Sequence, residues 1–170
     1  MSEYEPVKKV SLVCAKGGLE EVYPSLIMAN GARIEGIEAS VFFTFFGLNA
    51  IVKKTHENLK VATVGNAALN LAMPMLKMPI TMPFPTLLGA IPGVSNFATW
   101  LMKREMEKLD VPPVGEFLEM MSDAGVKIYA CKMTVDMYGL TIDDFVPQVN
   151  GIMTVGEFYE KSAGSQIIFT

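Results

Sequence analysis

Cys131 ends an apolar, β-rich run, Val126-Lys127-Ile128-Tyr129-Ala130-Cys131, and a polar-to-helical stretch from Lys132 to Leu140 follows at once. A cysteine at the carboxyl end of a strand and just before a helix occupies the place where open α/β sheets carry their chemistry. The helix dipole and its free N–H groups favour the thiolate there, and the thiolate is the nucleophile. Lys132 adds a neighbouring cation, and Thr134 is a candidate N-cap of the helix. The competing reading is a small buried hydrophobe, as most lone cysteines are. Position alone leaves both open.

A catalytic base for Cys131 is not evident. His56, the single histidine, is distant in sequence and reads as a solvated side chain in a polar loop. A Cys–His protease pair is therefore poorly supported. A thiolate that exchanges sulfur needs no such base, because its own pKa does the activation.

Cys14 closes the first apolar run, and Ala15-Lys16-Gly17-Gly18 follows it. Glycines allow close backbone approach, and a helix N-terminus can bind an anion. The turn matches neither G-x-G-x-x-G nor G-x-x-x-x-G-K-[ST], so a tight βα turn is the favoured reading over a nucleotide or flavin site. Both cysteines fall at the same sheet edge. They either meet as a redox pair or Cys14 is simply buried, and burial is preferred.

The elements that must position these residues alternate. Lys8–Cys14 reads as a strand, Leu19–Gly36 as a helix with Glu20 and Glu21 in its first turn, and Ile37–Phe46 as a second strand. The near-continuous apolar character of that second strand fits a parallel sheet covered on both faces. A short helix spans Leu48–Thr55, and a longer one runs from an N-cap at Ser95 to about Leu109, stopped by Pro112-Pro113. Glu116–Ala124 is helical with Gly125 at C′. The Cys131 strand and its helix follow, then a strand near Gln148–Ile152, a helix from Thr154 to Ala163, and a strand Gln166–Phe169. The fold class is α/β with a mostly parallel sheet.

Composition narrows the function. At 170 residues the chain is long enough for one domain with a substantial core, residues 1–170. A net charge of -4 and a pI near 5.0, without a Lys/Arg cluster, argue against nucleic-acid binding. Two cysteines are too few for a disulfide framework, and the polar Met1–Pro6 stretch is no signal peptide, so a reducing cytoplasm is expected. One histidine and no Cys-x-x-Cys give no metal site, and no cofactor is expected.

The 51% hydrophobic content and mean hydropathy of +0.33 come largely from residues 61–102. Lys77 is the only charged side chain there, and five of the ten prolines (Pro74, Pro79, Pro83, Pro85, Pro92) fall within it. They repeatedly break a run that would otherwise suit a membrane helix. Met73, Met75, Met78, Met82 and Met102 make it adaptable to a partner. An oligomer interface or a lid over the active edge is the first reading of this insertion, and membrane association the second.

Three stretches carry a resemblance: LIMANGARIEGIEASVFFTFFGLN (Leu26–Asn49), GVKIYACKMTVDMYGLTIDDF (Gly125–Phe145) and VNGIMTVGEFYEKSAGSQIIFT (Val149–Thr170). With the first strand they cover most of the chain. The sequence resembles the DsrE/DsrF-like sulfur-relay proteins, in the branch with a long apolar insertion. The resemblance implies a three-layer α/β/α sandwich with a parallel five-stranded sheet, assembled as trimers or hexamers. It implies that Cys131 carries a persulfide received from a donor protein. Cys14 in the turn after the first strand departs from the family pattern and leaves a resolving or relaying role open for this second thiol.

The expectation is thus a cytoplasmic sulfur carrier or sulfurtransferase subunit with donor and acceptor proteins as partners. Lys132 and the helix amides near Thr134 would stabilise the Cys131 anion, and Gly17 and Gly18 would shape the pocket floor. Asp136 and Tyr138 would position the helix. The alternative is a non-catalytic scaffold that recruits a partner or a membrane through residues 61–102. A weaker rival is a flavodoxin-like nucleotide or flavin binder using the Gly17-Gly18 turn.

Overall fold

The computed structural model describes residues 6–62, 70–71, 82–83 and 93–170. Two compact units emerge: Met1–Leu59 with Pro112–Thr170, and Lys60–Val111. The second contains the short antiparallel pair β3 (Asn70–Leu71) and β4 (Met82–Pro83) and the helix α2 (Val94–Lys108). The N-cap of α2 is Gly93 at φ 94, one residue before the helix, rather than Ser95. Most of the Met/Pro insertion expected at 61–102, and hence its reading as lid, interface or membrane contact, lies outside the described residues. Among the described residues no helix is long and apolar enough to cross a membrane.

The first unit is built on a five-stranded parallel sheet in the order β6-β5-β2-β1-β7. Its strands are β1 (Lys9–Cys14), β2 (Glu38–Phe43), β5 (Lys127–Cys131), β6 (Gly151–Met153) and β7 (Gln166–Phe169). Val10 to Cys14 are all buried, as a strand covered on both faces requires. Sequence reading located β1, β5 and β7 to within a residue. It ran β2 on to Phe46, whereas the strand stops at Phe43 and residues Phe45–Ala50 form a 3₁₀ helix. Phe45 adopts φ 44, a conformation that ends any extended run.

The crossovers β1→β2→β5→β6 all step the same way across the sheet. Right-handed connections therefore put α1 (Leu19–Ile34), α3 (Val114–Asp123) and α4 (Lys132–Tyr138) on one face. The return from β6 to β7 runs the other way and carries α5 (Val155–Lys161) to the opposite face. Three layers result, an α/β/α sandwich. On the first face Leu12, Val22, Leu26, Val41, Phe43, Leu118, Met121 and Ile128 are fully or almost fully buried. Each such side chain contributes about 1.5–3 kcal/mol over its exposed state. On the second face Phe158 of α5 stacks on Phe42 at 4.9 Å and 25°. Val13, Phe42, Cys131, Met153 and Phe158 form one cluster there.

Helix ends follow local chemistry. Gly139 ends α4 at φ 63, and Thr154 caps α5 by accepting from the Glu157 amide while Glu157 reaches back to the Thr154 amide.

Candidate functional site

Parallel strands bring their carboxyl ends to one edge, and the register decides which side chains meet there. Cys14 pairs with Phe43, and Phe43 pairs with Ala130, so Cys14 and Ala130 share a row. Cys131 is one residue further along β5 and points to the other face. Continuing the β2–β5 register by that residue sets Thr44 beside Cys131, and Met153 of β6 flanks it on the other side.

Cys131 is itself the N-cap of α4, with φ -71 and ψ 118. Thr134, expected at the cap, sits at the third helical position instead and is fully buried. Its Oγ1 lies 3.2 Å from Thr44 Oγ1 and accepts the Phe45 amide at 3.1 Å. Phe45 itself takes a left-handed conformation that costs a bulky residue about 1–2 kcal/mol.

Cys131 is only 2% exposed, and burial alone would push its thiol up. The Thr44 hydroxyl, the Thr134 amide and hydroxyl and the Met133 amide act against burial and outweigh it, leaving the thiol below its ordinary value. No fully formed side-chain cap bond closes the α4 N-terminus, so the amides act on the sulfur as nearby dipoles. The arrangement favours a thiolate at a buried position.

Lys132 is placed differently from its expected role. Its ammonium binds both carboxylate oxygens of Asp136, each at 2.9 Å, on the exposed side of α4. Asp136 thus acts on the helix surface through an i,i+4 pair.

Gly17 serves the neighbouring loop, and Gly18 is the N-cap of α1. A Cβ on Gly17 would strike the Phe46 carbonyl, and one on Gly47 would strike the Cys14 carbonyl. Two backbone bonds close this contact, Thr44 N–H to Cys14 O at 2.9 Å and Gly47 N–H to Ala15 O at 3.2 Å. The Gly18 amide donates to the Glu21 carboxylate at 3.1 Å. Backbone stands directly against Gly17, and the helix start is already met by a carboxylate. Gly17 and Gly47 clamp the loop that carries Thr44.

Cys14 is fully buried on the α1 face. Burial pushes its thiol up, and hydrogen bonding with Ser25, Thr170 and the Lys16 backbone offsets only part of this. Both cysteines are free. His56 is not the solvated side chain expected from its polar surroundings. Its ring is 15% exposed, and Nδ1 donates to the Val52 and Lys53 carbonyls at 3.2 and 3.1 Å. It lines a cleft with Lys53, Glu57, Glu116, Glu119 and Gln148, separate from the groups around Cys131. Among the described residues no group of His, Cys, Asp and Glu is arranged to hold a metal ion.

Sequence reading missed Thr44. It lies in Phe-Phe-Thr-Phe-Phe, and only the shared ending of β2 and β5 gives it a partner.

Comparison with known proteins agrees with this architecture. The chain is 36% identical over 162 residues to the sulfur carrier protein DsrE2 of Allochromatium vinosum, covering 94% of this chain and 96% of that one. It is 25% identical over 165 residues to the uncharacterized protein YrkE of Bacillus subtilis, covering 97% and 98%. Among solved structures, the protein of unknown function MTH1491 from Methanobacterium thermoautotrophicum superposes with a TM-score of 0.54 at 12% identity, over 95% of this chain and 98% of that one. The ychN protein of E. coli gives 0.53 at 14% identity, over 96% and 100%. Those two likenesses speak to the fold alone. The model of the DsrE/DsrF/DrsH-like family matches residues 6–169, and the chain belongs to that family.

Proposed function

We propose that the protein is a sulfur carrier that holds sulfane sulfur as a persulfide on Cys131. The observation that carries this reading is a buried thiol at a sheet edge whose pKa is lowered by hydroxyls and amides rather than by a base. Its similarity to a protein named as a sulfur carrier supports the same reading.

The reaction balances without an external oxidant. The Cys131 thiolate attacks the terminal sulfur of a donor persulfide. A new S–S bond forms on Cys131, the donor S–S bond breaks, and the donor leaves as a thiolate. The proton stays on the transferred sulfur or passes to solvent. Attack by an acceptor thiolate reverses the sequence and returns Cys131 to its starting state.

The surrounding residues have separate tasks. Thr44, Thr134 and the Met133 amide stabilise negative charge on sulfur. Gly17 and Gly47 keep the Thr44 loop in place. Cys14 is a packing residue, and donor and acceptor thiol proteins are the partners.

Cyanide-labile sulfur after incubation with polysulfide tests the carrier. Wild type and Cys14→Ser should release a stoichiometric amount of thiocyanate, and Cys131→Ser none. Equal release from Cys131→Ser would overturn the reading.

A further inference from the structure

The two buried threonines beside Cys131 differ in what their oxygens already do. Thr134 Oγ1 accepts the Phe45 amide at 3.1 Å, and an amide can only donate. Thr134 keeps one proton to give, and Thr44 Oγ1 is 3.2 Å away. Thr44, in turn, lies beside Cys131 by strand register. Both threonines are buried, at 7% and 0% exposure, so water does not compete for these bonds.

We propose that Phe45, Thr134 and Thr44 form a directed hydrogen-bond relay whose last proton is donated to the Cys131 sulfur. The polarity starts at the Phe45 amide, passes from the Thr134 hydroxyl to the Thr44 oxygen, and ends with the Thr44 hydroxyl on sulfur. Each accepted bond strengthens the next donor in the chain. In this relay the Thr44 hydroxyl is the group that strand register sets beside the sulfur, and the Thr134 hydroxyl and the Phe45 backbone are positioning groups that act through it, while the Thr134 amide acts on the sulfur from the helix start. The Thr44 hydroxyl leads the groups that hold the Cys131 thiol below its ordinary value.

The left-handed Phe45 turns the chain sharply just after the amide that is bonded to Thr134, on a different strand–helix connection. Gly17 and Gly47 admit the turn by close backbone approach. The strain, the glycines and the two threonines then serve one purpose, a fixed donor at the sulfur. The biological use of the relay rests on the persulfide reading, but its effect on the thiol does not.

The test is the pH profile of Cys131 alkylation by iodoacetamide, followed at its peptide in a Cys14→Ser background. Thr44→Val should move the midpoint upward by about one unit, roughly a tenfold loss of thiolate below it. Thr44→Ser should restore the profile, and Thr44→Ala, which adds no volume, should shift it as Thr44→Val does. Thr134→Val should give a smaller upward shift and add nothing to Thr44→Val in the double variant. Unmoved midpoints, additive shifts, or a larger shift from Thr134→Val would each overturn the relay. Persulfide loading measured on the same proteins separates failure of the relay from failure of the carrier function.

Discussion

Cys14 and Cys131 end neighbouring parts of one sheet edge but face opposite sides of it. The row Cys14–Phe43–Ala130 places them two strands and one residue apart, a lateral separation of about 10 Å. A disulfide requires Cα atoms within roughly 7 Å. Cys14 packs toward Ser25 and Thr170, while Cys131 packs with Phe42, Met153 and Phe158.

It follows that the two cysteines do not form an intramolecular disulfide while the chain is folded. Under mild oxidant, intact mass should show no loss of two hydrogens within a monomer. Native-state alkylation should label Cys131 and spare Cys14 up to alkaline pH, because burial raises the Cys14 pKa. A Cys14–Cys131 linked peptide from native protein would contradict the strand register.

Gly17→Ala should destabilise the protein by about 1–3 kcal/mol, since its Cβ would meet the Phe46 carbonyl, part of a rigid backbone. Thermal unfolding should report a drop of about 2–4 °C per kcal/mol. The same substitution should raise the midpoint of Cys131 alkylation by displacing the Thr44 loop. Gly31→Ala, at a helical position with open space around it, is the control and should not destabilise.

Lys132→Gln should leave the Cys131 pH profile unchanged, because the ammonium is engaged by Asp136. The loss in stability should be that of an exposed i,i+4 pair, about 0.3–0.5 kcal/mol. A clear upward shift of the alkylation midpoint would return Lys132 to the site.

Acid should loosen two local structures. The Thr154 amide, then its hydroxyl, hold the Glu157 carboxyl below its ordinary value, and Thr141 does the same for Asp144. A depressed carboxyl stabilises the fold above its unfolded-state pKa, and this is lost as pH falls through the folded value. Urea unfolding at neutral pH should show Thr154→Ala to be about 1 kcal/mol less stable. Its stability should also fall less between neutral and acid pH than that of wild type.

Much of this arrangement was legible from residue pattern. The strand Val126–Cys131, the helix beginning at Thr154 and the strand Gln166–Phe169 rest on local patterns that sequence displays directly. The end of β2 was hidden because Thr44-Phe45-Phe46 continues an apolar run. Its turn depends on a hydrogen bond from Phe45 to Thr134, residues far apart in the chain. Thr134 looked like a cap because hydroxyl residues favour caps, yet Cys131 already occupies that place. Lys132 looked like a thiolate partner, whereas its ammonium pairs with Asp136, one helical turn away. His56 looked solvated because its neighbours are polar, whereas its ring turns inward to two carbonyls.

The most direct measurement is peptide mass spectrometry of the protein after brief incubation with a persulfide donor and capping of exposed sulfur. The peptide containing Cys131 should gain the mass of one sulfur atom, removable by reductant, while the Cys14 peptide stays unchanged. Sulfur found on Cys14 alone, or on neither cysteine under conditions that load a control thiol protein, would contradict the assignment of Cys131 as the carrier.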